Sequence, residues 1–294
     1  MTSPCEVLIE QVDEDRALKA RQIAINEVRR LEAKYSRYRT DSVATSINNR
    51  AGDWQPIDSE TALLLIFADS AFQLSDGLFD ISSGILRRAW RFDGSDHLPC
   101  DETVQALLPF VGWQMVQRRE QNGEHYLKLP DGMELDFGGF VKEYAADRAL
   151  LLMTQALPQQ VPCLVNLGGD IATNGAAIKA MVEATNGEAN TTHEWTIGIE
   201  SLQLNHTATT LLKLQSGALA TSGDIRKFLQ KDGVRYGHIL NPKTGWPVLG
   251  GPATVTVAAN SCLEAGLLST VAMLMGSEAA AFLQQQNRQF WLSE

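Results

Sequence analysis

Residues 163–170 read CLVNLGGD, an apolar run from Cys163 to Leu167 that stops at Gly168-Gly169-Asp170. A short apolar run bounded by turn formers is a buried strand entering a tight turn. The same pattern recurs on either side. Ala218-Leu219-Ala220-Thr221 leads into Ser222-Gly223-Asp224, and Leu135-Asp136-Phe137 leads into Gly138-Gly139, after which Val141, Ala145, Ala149 and Leu152 mark a helix. One such turn is an ordinary tight turn with a capping aspartate. Three of them shift the balance, because glycine lets backbone amides approach a ligand and a helix beginning there adds its positive end, which suits phosphate.

Working outward, Cys5 to Val12 reads as a strand, and Ala17, Ala24, Val28 and Leu31 recur at helical spacing through a charged stretch. A polar loop, Tyr35 to Gly52, separates this helix from a second one, capped by Asp58 and running through Leu64, Phe67, Ala71 and Leu74. Ala176 to Glu194 is polar and without period, with Asn186-Gly187 as a turn signal, and reads as a surface loop or hairpin tip. Neither a solenoid repeat nor a Pro-rich or Ser-rich linker divides the chain. The expectation is a single α+β domain over residues 1–294, with mixed sheets and closely packed lobes.

With 44% hydrophobic residues among 294, the chain can bury a large core. Its net charge of -10 repels nucleic acid and anionic membrane surfaces, so a bound phosphate needs a local cation or an array of backbone amides. Cys5, Cys100, Cys163 and Cys262 form no CxxC pair and no zinc-ligand spacing, and are read as isolated buried or half-buried thiols. No stretch reads as long and apolar enough to cross a bilayer, and Met1-Thr2-Ser3-Pro4 is no leader. As written, the chain is expected to be cytoplasmic and not membrane-inserted; a chain trimmed of its leader would be exported. GxxxxGK[ST], GxGxxG and GxSxG are absent.

The segment richest in chemistry is Thr221 to Pro247, TSGDIRKFLQKDGVRYGHILNPKTGWP, which gathers Asp224, Arg226, Lys227, His238, Asn241 and Lys243. A lone histidine is more often structural, but His238 lies among turns that present a side chain, so chemistry and packing stand about even.

Eight segments in order resemble the FAD:protein FMN transferase family, also called the ApbE family. They are MTSPCE (1–6), YSRYRTDSVATSIN (35–48), DGLFDIS (76–82), LDFGGFVKEYAAD (135–147), VNLGGD (165–170), TSGDIR (221–226), His238 to Pro247, and AGLLST (265–270). The resemblance implies FAD binding by Met1, Tyr38, Leu78, Phe79, Asp80, Asp136, Lys142, His238 and Ile239. On the residues alone, Tyr38 is equally a loop aromatic, Asp80 a turn former and Lys142 a surface residue of a first helical turn. The resemblance also implies Mg2+, held by the carbonyl of Gly139 and by an Asp-x-x-x-Thr pair whose members share a helix face. Here the threonine is Thr270, but the aspartate position is Gly266. Glu264, roughly 200° round the helix, does not replace it, whereas Asp224, Asp170 or waters are available to do so. Glu143 stands where the family has Gly, and Asn241 where it has Asp.

The implied reaction transfers FMN from FAD to a Ser or Thr hydroxyl of an acceptor protein, with His238 first and Asp224 second as the base. A FAD hydrolase and a non-catalytic flavin-binding protein are the alternatives.

Overall fold

The computed structural model describes residues 4–158, 161–175, 177–179, 190–200, 208–223 and 228–293. Strand β1 (Cys5–Ile9) opens the chain and is followed by α1 (Glu14–Tyr35), whose first turn is capped by Asp13 accepting from the Arg16 amide. The expected polar loop contains a short helix, α2 (Val43–Asn49), capped by Ser42. After β2 (Gln55–Ile57), α3 (Ser59–Leu74) begins at Asp58, whose carboxylate accepts from the Thr61 amide as its residue type predicts. A 3-10 turn (Ile81–Arg88), α4 (Asp101–Leu107) and the hairpin of β3 (Gln117–Gln121) and β4 (Glu124–Lys128) follow. Leu135-Asp136-Phe137, expected to be the end of a strand, joins no sheet, and Phe137 opens a 3-10 turn, Phe137–Gly139. Its backbone is occupied otherwise, with the Asp136 amide on the Ile81 carbonyl and the Leu135 amide on Asn48.

The remaining elements build the main sheet and its helices. They are α5 (Val141–Gln155), β5 (Cys163–Leu167), β6 (Asp170–Thr173), β7 (Ala177–Lys179), β8 (Asn190–Thr192), β9 (Trp195–Glu200), β10 (Ala208–Leu214), β11 (Gly217–Gly223), β12 (Phe228–Lys231), β13 (Val234–Gly237), β14 (Thr254–Ala259), α6 (Cys262–Met275), α7 (Ala279–Gln285) and β15 (Gln289–Ser293). CLVNLGGD is the β5–β6 hairpin, with Leu167 opposite Asp170 and both glycines at positive φ. The turn therefore joins two strands rather than a strand and a helix. Within the polar tract β7 and β8 pair antiparallel, and its turn signal at Asn186-Gly187 lies outside the described residues.

The main sheet has the order β1-β5-β6-β11-β14-β15. The α+β class is as expected, but every strand pair among the described residues is antiparallel rather than mixed. Hairpins and strand-to-edge returns satisfy that order without a parallel crossover. Residues alternate across the sheet. Cys163, Val165, Ala172, Ala218 and Ala220 face the helices, while Leu164, Ile171 and Leu219 face Trp195 and Leu212 of the β9–β10 hairpin. On the helical side α5 and α6 lie on the sheet and α1 packs on α5.

The tract Cys262–Gln285 does have the length and hydropathy (1.5) of a membrane-crossing helix, contrary to the sequence expectation. In the fold it is α6, a 3-10 turn at Gly276–Glu278 and α7, packed in the core, with 67% of its most apolar stretch buried. A smaller core of Leu86, Trp90, Val104 and Leu229 carries a second lobe, and Trp90 ties it to the 238–247 segment by donating to the Gly245 carbonyl at 2.9 Å. Of the cysteines, Cys163 and Cys262 are buried and Cys5 and Cys100 are exposed.

Candidate functional site

Candidates from distant segments converge where α5 begins. Asp136 caps the 3-10 turn Phe137–Gly139 through the Gly138 amide (2.9 Å) and forms an ion pair with Arg37. Arg37 in turn donates to the Tyr38 hydroxyl at 2.9 Å, and its guanidinium lies 5.1 Å from the centre of the Tyr38 ring. Tyr38 is 83% exposed, so its ring is open to solvent on this surface. Arg37 lies within the quoted motif, but nothing in its spacing marks it as the partner of Asp136.

Phe79 is buried beneath Gly139, where a Cβ would touch its ring at 3.6 Å, and Leu78 is half-buried beside it. Asp80 takes the local role that its residue type allows. One oxygen accepts from the amide and hydroxyl of Ser82 and the other from the Trp113 amide, so it fastens the 76–82 turn to residues 112–113. Asp76, Gly77 and Asp80 line a cleft of about 430 Å³ with Pro242 and Lys243, and Lys243 pairs with Asp76 at 2.9 Å.

His238 is exposed at the end of β13, with the edge of its ring toward Phe92 at 6.3 Å. Ile239 points inward and packs on the main core. Asn241 organises the next turn: its side chain accepts from the Lys243 amide and its carbonyl from the Gly245 amide. An Asn does this as well as an Asp, so the departure at 241 leaves the backbone of the turn intact. Met1 and Asp224 lie outside the described residues.

Lys142, on the first turn of α5, pairs with Asp170 at the start of β6. Burial works against the Lys142 ammonium, but the neighbouring carboxylates of Asp170 and Glu143 outweigh it and raise its pKa. Burial raises Asp170, partly offset by Lys142. Glu143 is raised by burial and then by the Asp170 charge. It is 9% exposed, and its Oε2 has no hydrogen-bond partner. Thr270, half-buried on α6, shares a hydrogen bond of 2.9 Å with Ser222, which also meets Ser269 at 2.8 Å. Glu264 turns away to Arg288 and the Asn260 amide. Sequence inspection placed Glu143 as a departure without seeing that it is buried against Asp170.

Among the described residues no group of three His, Cys, Asp or Glu side chains is placed to hold a metal ion. The resemblance offers the Gly139 carbonyl and the Thr270 hydroxyl, and the packing adds the neighbouring carboxylates of Glu143 and Asp170. An all-oxygen set with one or two carboxylates suits a hard divalent ion that keeps waters and substrate phosphates, and does not suit zinc. The unpartnered Glu143 oxygen is the observation that makes the fit.

The fold is that of the flavin transferases. The ApbE protein of Thermotoga maritima superposes with a TM-score of 0.81 at 27% identity, covering 97% of this chain and 88% of that one. The Pseudomonas stutzeri flavinyl transferase ApbE shares the fold with a TM-score of 0.78 at 23% identity, over 98% of this chain and 90% of that one. The ApbE family model matches residues 1–291, and the chain belongs to that family. It is a transferase. A FAD:protein FMN transferase of Klebsiella pneumoniae is 30% identical over 293 residues, which is 98% of this chain and 84% of the relative. One from Vibrio cholerae is 27% identical over 260 residues, 86% of this chain and 72% of the relative.

Proposed function

We propose that this chain transfers FMN from FAD to a Ser or Thr hydroxyl of an acceptor protein. The acceptor oxygen bonds to the FMN-side phosphorus, the pyrophosphate P–O bond on the AMP side of that phosphorus breaks, AMP leaves, and the hydroxyl proton passes to a base. The names of the relatives supply the substrate pair. The observation on this chain that carries the reading is the convergence of Tyr38, Arg37, Asp136, Phe79 and Lys142 around the turn that opens α5.

In this reading Tyr38 offers an exposed aromatic face to the flavin or the adenine. Lys142 and the Gly139 amide face the pyrophosphate, where fixed donors are worth more than mobile water as charge develops. His238, presented by the turn after β13, takes the proton, with Asp224 as the second candidate. Gly139 and Thr270 would hold Mg2+, which when bound neutralises phosphate charge.

The test is incubation with FAD, Mg2+ and a candidate acceptor, followed by a denaturing gel scanned for flavin fluorescence. Labelled acceptor with release of AMP is the expected result. Free FMN with unlabelled acceptor would make the chain a hydrolase, and bound, unchanged FAD would make it a flavin-binding protein. Tyr38→Ala with Asp136→Ala should weaken FAD binding in a folded chain, and unchanged affinity removes this site. His238→Ala should retain FAD and slow AMP release by about 100-fold or more; an unaltered rate returns His238 to packing.

A further inference from the structure

We propose that Glu143, reaching across from α5 into the space left by the absent side chain of Gly266, supplies the carboxylate of a divalent-cation site shared with Gly139, Thr270 and Asp170. The proposal rests on the transfer reading above for the occupant of the cleft, but the argument comes from this chain's own packing.

The first observation is steric. A Cβ built on Gly266 would stand 2.5 Å from the Glu143 Cγ, 3.1 Å from its Cδ and 3.2 Å from its Oε1. Glu143 and a side chain at 266 therefore compete for one volume, and in this chain Glu143 has it. The sequence departures at 143 and 266 are thus a single exchange across the α5–α6 interface, with the acid moved from one helix to the other.

The second observation is chemical. Glu143 is nearly fully buried, its Oε2 has no hydrogen-bond partner, and the charge that acts on it most strongly is the carboxylate of Asp170, ahead of Lys142. Leaving one carboxylate oxygen buried without a partner costs free energy, and setting a second carboxylate beside it adds repulsion. Lys142, already paired with Asp170, supplies a single positive charge. A dication held by these carboxylates would offset the repulsion and give the Glu143 oxygen a partner.

The third observation is placement. Gly139 ends the 3-10 turn that leads into α5, four residues before Glu143. Thr270 lies one turn beyond Gly266 on α6, about 6 Å along the axis, and is fixed there by Ser222. Gly139 is exposed and Thr270 half-buried, and each offers an oxygen, whereas Glu264, the other acid of this helical turn, is committed to Arg288. Oxygen donors of this kind take Mg2+, Mn2+ or Ca2+ rather than softer metals.

The test uses Mn2+ as the probe, with free ion counted by electron paramagnetic resonance in the presence of FAD. Three proteins are compared: the unaltered chain, Glu143→Gln, and the exchange variant Glu143→Gly with Gly266→Asp. Circular dichroism checks the fold, and flavin fluorescence follows FAD binding separately. Glu143→Gln should weaken Mn2+ binding by about tenfold or more, as loss of a ligand charge does, and the exchange variant should return to within about threefold of the unaltered chain. Mn2+ affinity unchanged in folded Glu143→Gln overturns the proposal, as does failure of a folded exchange variant to recover. If the unaltered chain labels an acceptor while Glu143→Gln binds Mn2+ normally, the transfer reading stands and the role of Glu143 falls. If the unaltered chain binds neither FAD nor Mn2+, both fall.

Discussion

Gly266→Ala should change sign with the residue at 143. In an ordinary helix interior Ala is favoured over Gly by about 1 kcal/mol, so on propensity alone this substitution in α6 stabilises. Here the added methyl would lie 2.5 Å from the Glu143 Cγ, well inside contact distance, and the obstructing atom is the middle of a side chain held on both sides by helices. Overpacking a tight interface costs roughly 1–3 kcal/mol. The net expectation for the unaltered chain is a loss of about 1 kcal/mol. The three nearest atoms all belong to Glu143 beyond its Cβ, so Glu143→Ala empties the volume. In that background Gly266→Ala should stabilise by up to about 1 kcal/mol, a coupling near 2 kcal/mol between two sites that would otherwise add to within ~0.5 kcal/mol. Urea unfolding of the four proteins, followed by circular dichroism, completes the cycle. Additive effects would refute the argument, since they would mean that Glu143 does not occupy the Gly266 space in solution.

Further outcomes are expected elsewhere. Asp147 accepts from the amides of Cys262 and Leu263 at 2.8 and 2.9 Å and so holds the first turn of α6 to α5; Asp147→Ala should cost about 0.5–2 kcal/mol in urea unfolding, and no loss would deny it that role. Glu60 is held near pH 2, below its ordinary 4.5, by hydrogen bonds from Arg30 that outweigh burial and by Lys34. A depressed carboxylate stabilises above its unfolded pKa and loses that contribution as pH falls through the folded one. The stability gap between the unaltered chain and Glu60→Gln should therefore be constant above about pH 5 and close between roughly 4.5 and 2; a gap independent of pH contradicts it. Trp90→Phe removes the donor to the Gly245 carbonyl and shrinks the ring that meets Trp246 at 5.0 Å. It should cost about 1–3 kcal/mol and expose the 238–247 segment to limited proteolysis, and an unchanged cleavage pattern would separate Trp90 from that turn.

Much of this fold was legible because its signals are local. The β5–β6 hairpin follows from apolar residues stopped by two glycines able to take positive φ, and α3 begins where Asp58 can cap it. Candidates within one motif also stayed together, as Asp136 and Gly139 did at the head of α5. Leu135-Asp136-Phe137 reads as a strand and is none, because apolar character marks burial, not pairing, and the neighbouring Asn48 and Ile81 determine which partners the Leu135 and Asp136 amides take. The sheet's antiparallel order was likewise hidden, since strand direction is a property of pairs.

Two readings belonged to the tertiary structure alone. Asp80 has only a resemblance to recommend it along the chain, and the fold alone shows that its carboxylate also ties Ser82 to the Trp113 amide. Along the chain, Gly266 looks like a missing acid and Glu143 like an unrelated intruder. Packing α5 against α6 makes them one feature, because the volume that a glycine vacates can be filled by any side chain the fold brings to it, and no spacing within a sequence records which one that is.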